Sequence, residues 1–301
     1  MSDQLIHALV AGDTVRMFAI SAPELVKKAQ AMHNLSRVAT AALGRQLLMT
    51  AMMASDLKNE GDKVSTIIRG DGPADRMLCT GWEQDGMVAV KGYTENPLTE
   101  LPPRADGKLD VGGYVGQGQL TVVRDLPVGD PYVGVCNLIS GEIAMDFAQY
   151  FTVSEQQPSL VYLGVRLNVE TKEVISAGGM MLQPLPDCPD EIIDAITARA
   201  DSISTLSRRL ADGQSLVEAC FDLLEGIDAH ITERKEPAYV CDCSRKRIER
   251  ALISVGKDEL TDMMERDGGA EVKCHFCNTA YRFTKDDLNS LIQAAAENGK
   301  E

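Results

Sequence analysis

Four cysteines near the C-terminus constrain this chain more than any other feature. Cys241 and Cys243 stand in "YVCDCSRKR", Cys274 and Cys277 in "VKCHFCNTAYRF", giving C-x-C, thirty residues, C-x-x-C. Two close pairs of thiolates can surround one tetrahedral zinc, and a C-x-x-C knuckle in a hairpin turn aims two sulfurs at one point. A segment of about 65 residues rarely folds on its own apolar core and needs a staple. Metal binding is therefore expected at these four positions, one zinc per chain. His275, inside the knuckle, is the competing ligand, but four thiolates already complete a tetrahedron.

The N-terminal stretch "MSDQLIHALVAGD" lacks a basic region and a long apolar run, so no signal peptide is expected. No run approaches the ~18 apolar residues of a spanning helix. A soluble, cytoplasmic protein is expected, with no membrane partner. In a reducing cytosol, clustered thiols indicate a metal or a redox role rather than a disulfide framework. The other four cysteines, Cys79, Cys136, Cys188 and Cys220, are isolated, and apolar packing is expected for each.

The pattern along the chain is α+β: a strand-rich N-terminal domain with packed helices (1–182), a helical linker region (183–235) and a small C-terminal zinc domain (236–301). Ser21, Pro23 and Glu24 read as a capping box opening a helix, and Ser36 as the cap of a longer one. "KVSTIIRG", "MVAVKGY", "GQLTVVRD", "PYVGVCNL" and "SLVYLGVRLNV" read as strands, and "EIAMDFAQYF" as a helix among them. Consecutive strands argue α+β rather than a doubly wound sheet. After "LQPLPDCPD", residues 190–230 show an amphipathic helical pattern broken by Gly213 and Gly226, two or three helices in need of a partner surface. In the last domain Ser244 caps a helix ended by Gly256, "DELTDMMERDGG" supplies another, "EVKC" and "AYRF" form a hairpin, and Thr284 with Asp287 opens a final helix.

Net charge is −15, spread as 15 basic and 21 acidic groups over 1–182, 5 and 11 over 183–235, and 10 and 13 over 236–301. No region is basic, which argues against a zinc-ribbon nucleic-acid binder. "GGYVGQG" precedes a strand and lacks the Lys-Ser/Thr ending of a phosphate loop, "SGE" at 140–142 reads as a turn, and His7 and His33 are isolated. No catalytic constellation is visible, and a non-enzymatic protein is expected.

Two readings of the cysteines remain: an inert staple, or a redox switch. The C-x-C half is unusual for a structural site, where spacings of two to four prevail. Arg245, Lys246, Arg247 and Arg250 follow it, and nearby cations favour thiolate. Zinc in a small domain contributes roughly 10–16 kcal/mol at neutral pH. Disulfides between sequence neighbours would close loops of three or four residues, about 2 kcal/mol each, and leave the two halves untied. A Cys243–Cys274 link would keep the tie, and four cysteines permit three pairings.

The whole chain, from about residue 12 to about 290, resembles the redox-regulated holdase chaperones of the 33 kDa heat-shock protein (HslO) family. Beyond the cysteines and Phe276, the resemblance rests on "ALGRQLL", "GDGPADRM", "GQGQLTVVRDL", "SGEIAMDFAQYFTVSEQQPS" and "AGGMMLQPLP". It implies an ATP-independent chaperone, inactive while reduced and zinc-bound. It further implies that disulfides Cys241–Cys243 and Cys274–Cys277 form on oxidation, releasing zinc and unfolding the terminal domain and linker. Unfolding client proteins are then held by a homodimer and later passed to ATP-driven foldases. Two sequence features suit this: the linker's net charge of −6 (5 minus 11) disfavours its compact state, and 13 methionines offer flexible apolar contact.

Overall fold

A computed structural model of the chain describes residues 2–126 and 129–298. The chain forms two compact units, the first ending at Val240 and the second starting at Cys241. Residues 236–240, grouped with the cysteine domain on sequence, complete a strand of the first unit, and residues 183–235 also lie in that unit.

The first unit runs β1 (Gln4–Val10), β2 (Val15–Ser21), α1 (Pro23–His33), α2 (Arg37–Ala54), β3 (Lys63–Gly70), β4 (Arg76–Gln84), β5 (Met87–Thr94), α3 (Val111–Val115), β6 (Gly118–Asp125), β7 (Tyr132–Asn137), α4 (Ala144–Ser154), β8 (Leu160–Leu167) and β9 (Val174–Pro184). Short helices α5 (Asp190–Thr197), α6 (Ala200–Ile203), α7 (Leu206–Ala211) and α8 (Leu216–Leu223) follow, and β10 (Ala229–Tyr239) ends it. The second unit contains α9 (Arg245–Val255), α10 (Lys257–Asp267), hairpin β11 (Gly269–Lys273) and β12 (Ala280–Thr284), and α11 (Lys285–Asn298).

The ten strands of the first unit form one sheet, ordered β7-β6-β3-β4-β5-β10-β1-β2-β9-β8. Strand β10 joins its two halves. Ala229 to Lys235 pair antiparallel with β1, and Glu236 to Tyr239 pair parallel with β5. Pro237 is tolerated because β10 has left β1 by then and needs no ladder donor on that side. Tyr239 fixes the end: its buried hydroxyl donates to the Gly92 carbonyl at 2.8 Å and lies 3.1 Å from His33 Nε2.

Helix α2 packs across both halves, and 16 of its 18 residues are buried. A helix apolar all round has to be enclosed. Its buried polar groups are satisfied: Gln46 Nε2 donates to the Thr66 carbonyl at 2.9 Å, and the Thr50 and Thr66 hydroxyls lie 2.7 Å apart. The half-sheet β1, β2 and β9 is buried on both faces by alternation. Leu5, Phe18 and Ile20 face the core that holds α1 and α2. Ile6, Met17, Ala19, Met180 and Leu182 face a second core, closed by Ile203, Leu206, Leu210, Leu216 and Leu223 of the short helices. Residues 190–223 thus find on this sheet face the partner surface that their pattern required, as four helices rather than two or three. Two glycines let α7 approach: a Cβ on Gly178 would sit 2.4 Å from Leu210 Cδ1, and one on Gly164 2.7 Å from Ser207 Oγ.

Ser36 caps α2 as expected, accepting from Ala39 N at 3.2 Å. The Ser21–Glu24 box does not form. Ser21 belongs to β2, and Asp3 caps α1 from outside, accepting from Glu24 N at 3.0 Å and Leu25 N at 2.7 Å. The difference has a direct test in urea unfolding followed by the fluorescence of Trp82, the single tryptophan. Asp3→Ala is expected to cost about 1 kcal/mol, while Ser21→Ala stays within about 0.5 kcal/mol. An equal loss from Ser21→Ala would restore the local box.

Candidate metal centre

Local sequence builds the sulfur site from two directions. On one side Cys241 follows β10 directly, and Ser244 starts α9 by accepting from Arg247 N at 3.3 Å. On the other, Cys274 to Cys277 form the turn between β11 and β12. That turn is a knuckle: Asn278 N donates to the Cys274 carbonyl at 2.8 Å, Cys274 N to the Thr279 carbonyl at 3.0 Å, and Asn278 has φ of 59°. Asparagine is among the few non-glycine residues that enter this left-handed region readily.

Cys241, Cys243, Cys274 and Cys277 converge, their Sγ atoms all within 4.8 Å of one another. Four sulfurs about 2.3 Å from a central zinc would lie about 3.8 Å apart. The Cys241–Cys274 separation is 3.8 Å and the Cys243–Cys277 separation 3.3 Å. The donor set and its spacing fit a tetrahedral metal ion. His275 is exposed and stands outside the group.

Hydrogen bonds set the electrostatics of the sulfurs. Tyr281 Oη donates to Cys243 Sγ at 3.0 Å, which pushes the phenol up to about 12. Burial raises Cys277, but hydrogen bonds from the Thr279 hydroxyl and backbone outweigh it and bring the thiol down to about 7. Burial holds Cys241 and Cys274 above the usual thiol range. Two of the four cations expected to act on the thiolates have carboxylate partners. Arg247 pairs with Asp242, and Arg245 pairs with Glu249 at 3.1 Å and Asp287 at 3.0 Å while stacking over Phe283. Tyr281 and Thr279 are supporting residues that the cysteine pattern did not signal. Their positions on and beside β12 were legible only as parts of a hairpin.

The remaining cysteines are packing residues in three cases. Cys79, Cys136 and Cys220 are buried, and desolvation raises all three, Cys220 to about 12. Cys188 is half-buried. Ser140 to Glu142 form a turn wrapped on the buried Asp146 carboxylate, which accepts from Ile139 N at 2.8 Å and Ser140 N at 2.9 Å. One constellation was invisible in sequence. His7 lies 2.8 Å from Ser55 Oγ and 3.1 Å from Glu233, a Ser-His-Glu arrangement. Ser55 is only 2% exposed and its hydroxyl donates to the Met52 carbonyl at 2.7 Å, so no substrate can reach it. Among the described residues no helix is long and apolar enough to cross a membrane.

Replacing Tyr281 by Phe removes one hydrogen bond to the centre without disturbing a ligand. Metal affinity, measured by competition with a chromogenic chelator, is expected to fall about tenfold. Unchanged affinity would show that the phenol does not support the site.

Residues 3–284 match the family model described as Hsp33 protein. The chain is 41% identical over 295 residues to the 33 kDa chaperonin of Clostridium perfringens (strain SM101 / Type A), covering 97% of this chain and 92% of that one. It is likewise 41% identical over 293 residues to the 33 kDa chaperonin of Alkaliphilus metalliredigens, covering 97% and 99%. The crystal structure of the 33 kDa chaperonin from Thermotoga maritima superposes with a TM-score of 0.88 at 32% identity, covering 99% of this chain and all of that one. The fold, the converging cysteines and these similarities agree: the chain belongs to the Hsp33 family.

Proposed function

We propose that this protein is a chaperone, an ATP-independent holdase switched on by oxidation and not an enzyme. The observation that carries the reading is the pairing of a four-sulfur site with a very small core. Among the described residues Leu252, Leu260, Phe283, Leu288 and Leu291 form the buried apolar cluster of the second unit, with Ile248, Val272 and other half-buried residues packed on it, a small core for a unit without a staple. One zinc per chain, held by Cys241, Cys243, Cys274 and Cys277, ties the two cysteine pairs together when bound and contributes roughly 10–16 kcal/mol.

Oxidation removes that tie. Each pair of thiolates gives two electrons to one peroxide and the solvent supplies two protons; an S–S bond forms, the O–O bond breaks, and two waters leave. In the folded cluster the cross pair Cys243–Cys277 is at 3.3 Å, so proximity of the sulfurs does not select neighbours. Pairing as Cys241–Cys243 and Cys274–Cys277 follows instead from the chain once the second unit has opened, because closing a short loop costs less entropy. Those two bonds then recover only about 4 kcal/mol together and cannot rejoin the halves.

Strand β10 carries the consequence into the first unit. It enters from α8 and ends one residue before Cys241, so an unfolded second unit leaves its C-terminal end without a folded neighbour along the chain. The acidic segment 183–235, 5 basic against 11 acidic groups, then loses hold of the sheet. Its departure uncovers Ile6, Met17, Met180 and Leu182, the apolar face it now buries. Such a face, with two flexible methionines, suits unfolded clients of varied sequence. A homodimer in the cytoplasm that hands clients to ATP-driven foldases completes the reading.

Peroxide with mild heat is expected to release about one zinc per chain, measured with a chromogenic chelator, and to unmask suppression of client aggregation by light scattering. Peptide mass mapping should then find the two neighbour disulfides. Metal retained under oxidant, or equal suppression by the reduced protein, contradicts the switch and leaves a staple.

A further inference from the structure

A groove of about 610 Å³ opens beside α7 in the first unit, and its charge differs from that of the rest of the chain. Arg37 and Arg45 of α2, Lys108, Arg166 of β8 and Arg208 of α7 line it; among the described residues no aspartate or glutamate does. The whole chain carries net charge −15, whereas the charged residues that line this groove are all basic. Three of them have carboxylate partners that do not line the groove. Arg37 is 3.4 Å from Glu100, Arg45 2.7 Å from Glu142, and Lys108 3.8 Å from Asp106. Arg166 and Arg208 are exposed, and their guanidiniums have no ion pair or hydrogen bond among the described residues.

The lining chemistry selects the ligand class. A cation would meet the unpaired guanidiniums of Arg166 and Arg208, and an apolar ligand would strip water from them without replacing it. Arginine presents a planar fork of donors matched to phosphate oxygens. Ser204, Thr205 and Tyr162 also line the groove, the Ser204 and Thr205 hydroxyls donating to the Asp201 and Ser202 carbonyls at 2.6 and 2.7 Å, and the volume lies in the range of small-molecule sites. The wall is well seated: Tyr162 Oη and Ser207 Oγ are 2.7 Å apart, and Ser176 Oγ donates to the Ser207 carbonyl at 2.7 Å. We propose that this groove binds a small phosphorylated anion, bridged between Arg166 on β8 and Arg208 on α7. An anion held by both guanidiniums would tie α7 to β8 and stabilise α7 in its seat on the sheet.

The test uses the reduced, metal-loaded full chain, so it does not depend on the redox reading. Inorganic tripolyphosphate is titrated by calorimetry at fixed ionic strength, with magnesium-free ATP in a parallel arm. Saturable binding of about one per chain is expected, weakened more than about tenfold in Arg166→Gln/Arg208→Gln, as the loss of two charge-assisted donors implies. Amide exchange across residues 206–211 should slow on binding. ATP binding as tight or tighter assigns a nucleotide; weaker ATP binding assigns a bare phosphate chain. The double variant Arg234→Gln/Lys246→Gln, with the same charge change outside the groove, should bind as the parent does. No saturable binding, undiminished binding in the first double variant, or equal loss in the second overturns the proposal.

Discussion

Convergence of four sulfurs within 4.8 Å is the constraint on which the second unit depends. Thiolates at that spacing repel unless a cation sits among them, and the apolar cluster around Leu260 and Phe283 that would have to offset that cost is small. The hairpin, α9 and α11 surround this point and are held by it. Hydrogen bonds from Tyr281, Thr279 and the knuckle backbone orient the sulfurs but cannot substitute for a central charge. The same closeness that suits chelation makes neighbour disulfides too short to tie the halves.

Conditional stability in the second unit matters because of how the first is assembled. Its sheet is two half-sheets that meet only through β10, and β10 runs directly into Cys241. The helices preceding β10 cover a face that would otherwise be exposed apolar surface. By contrast, α2 is enclosed by both halves and its polar groups are satisfied, so this part has no reason to open. One chain therefore holds an enclosed central helix, helices that cover one face of the sheet, and a terminal unit with four converging sulfurs.

Much of this was legible in the sequence, for physical reasons that differ by element. The α+β class, the caps at Ser36, Ser244 and Thr284, and the β11–β12 hairpin follow from local chemistry and were read correctly. Strand β10 was missed because "ITERKEPAY" is charged and contains proline, and only its change of partner makes both acceptable. The α1 cap was misassigned because Asp3, 21 residues away, supplies it through the sheet. At the candidate site the four cysteines that converge were all picked out by spacing alone. The hydrogen-bond donors to sulfur were not, and two of the arginines credited with activating the thiolates, Arg245 and Arg247, are paired with carboxylates. The basic groove beside α7 had no local signature, since its cations come from segments far apart in sequence.

Amide hydrogen exchange on the chain after metal removal by a chelator under reducing conditions tests the central claim most directly, because it separates metal loss from disulfide formation. The account predicts that residues 241–298 lose protection throughout, while β3, β4 and β6 keep theirs. Retained protection in β11, β12 and α11 without metal would contradict it.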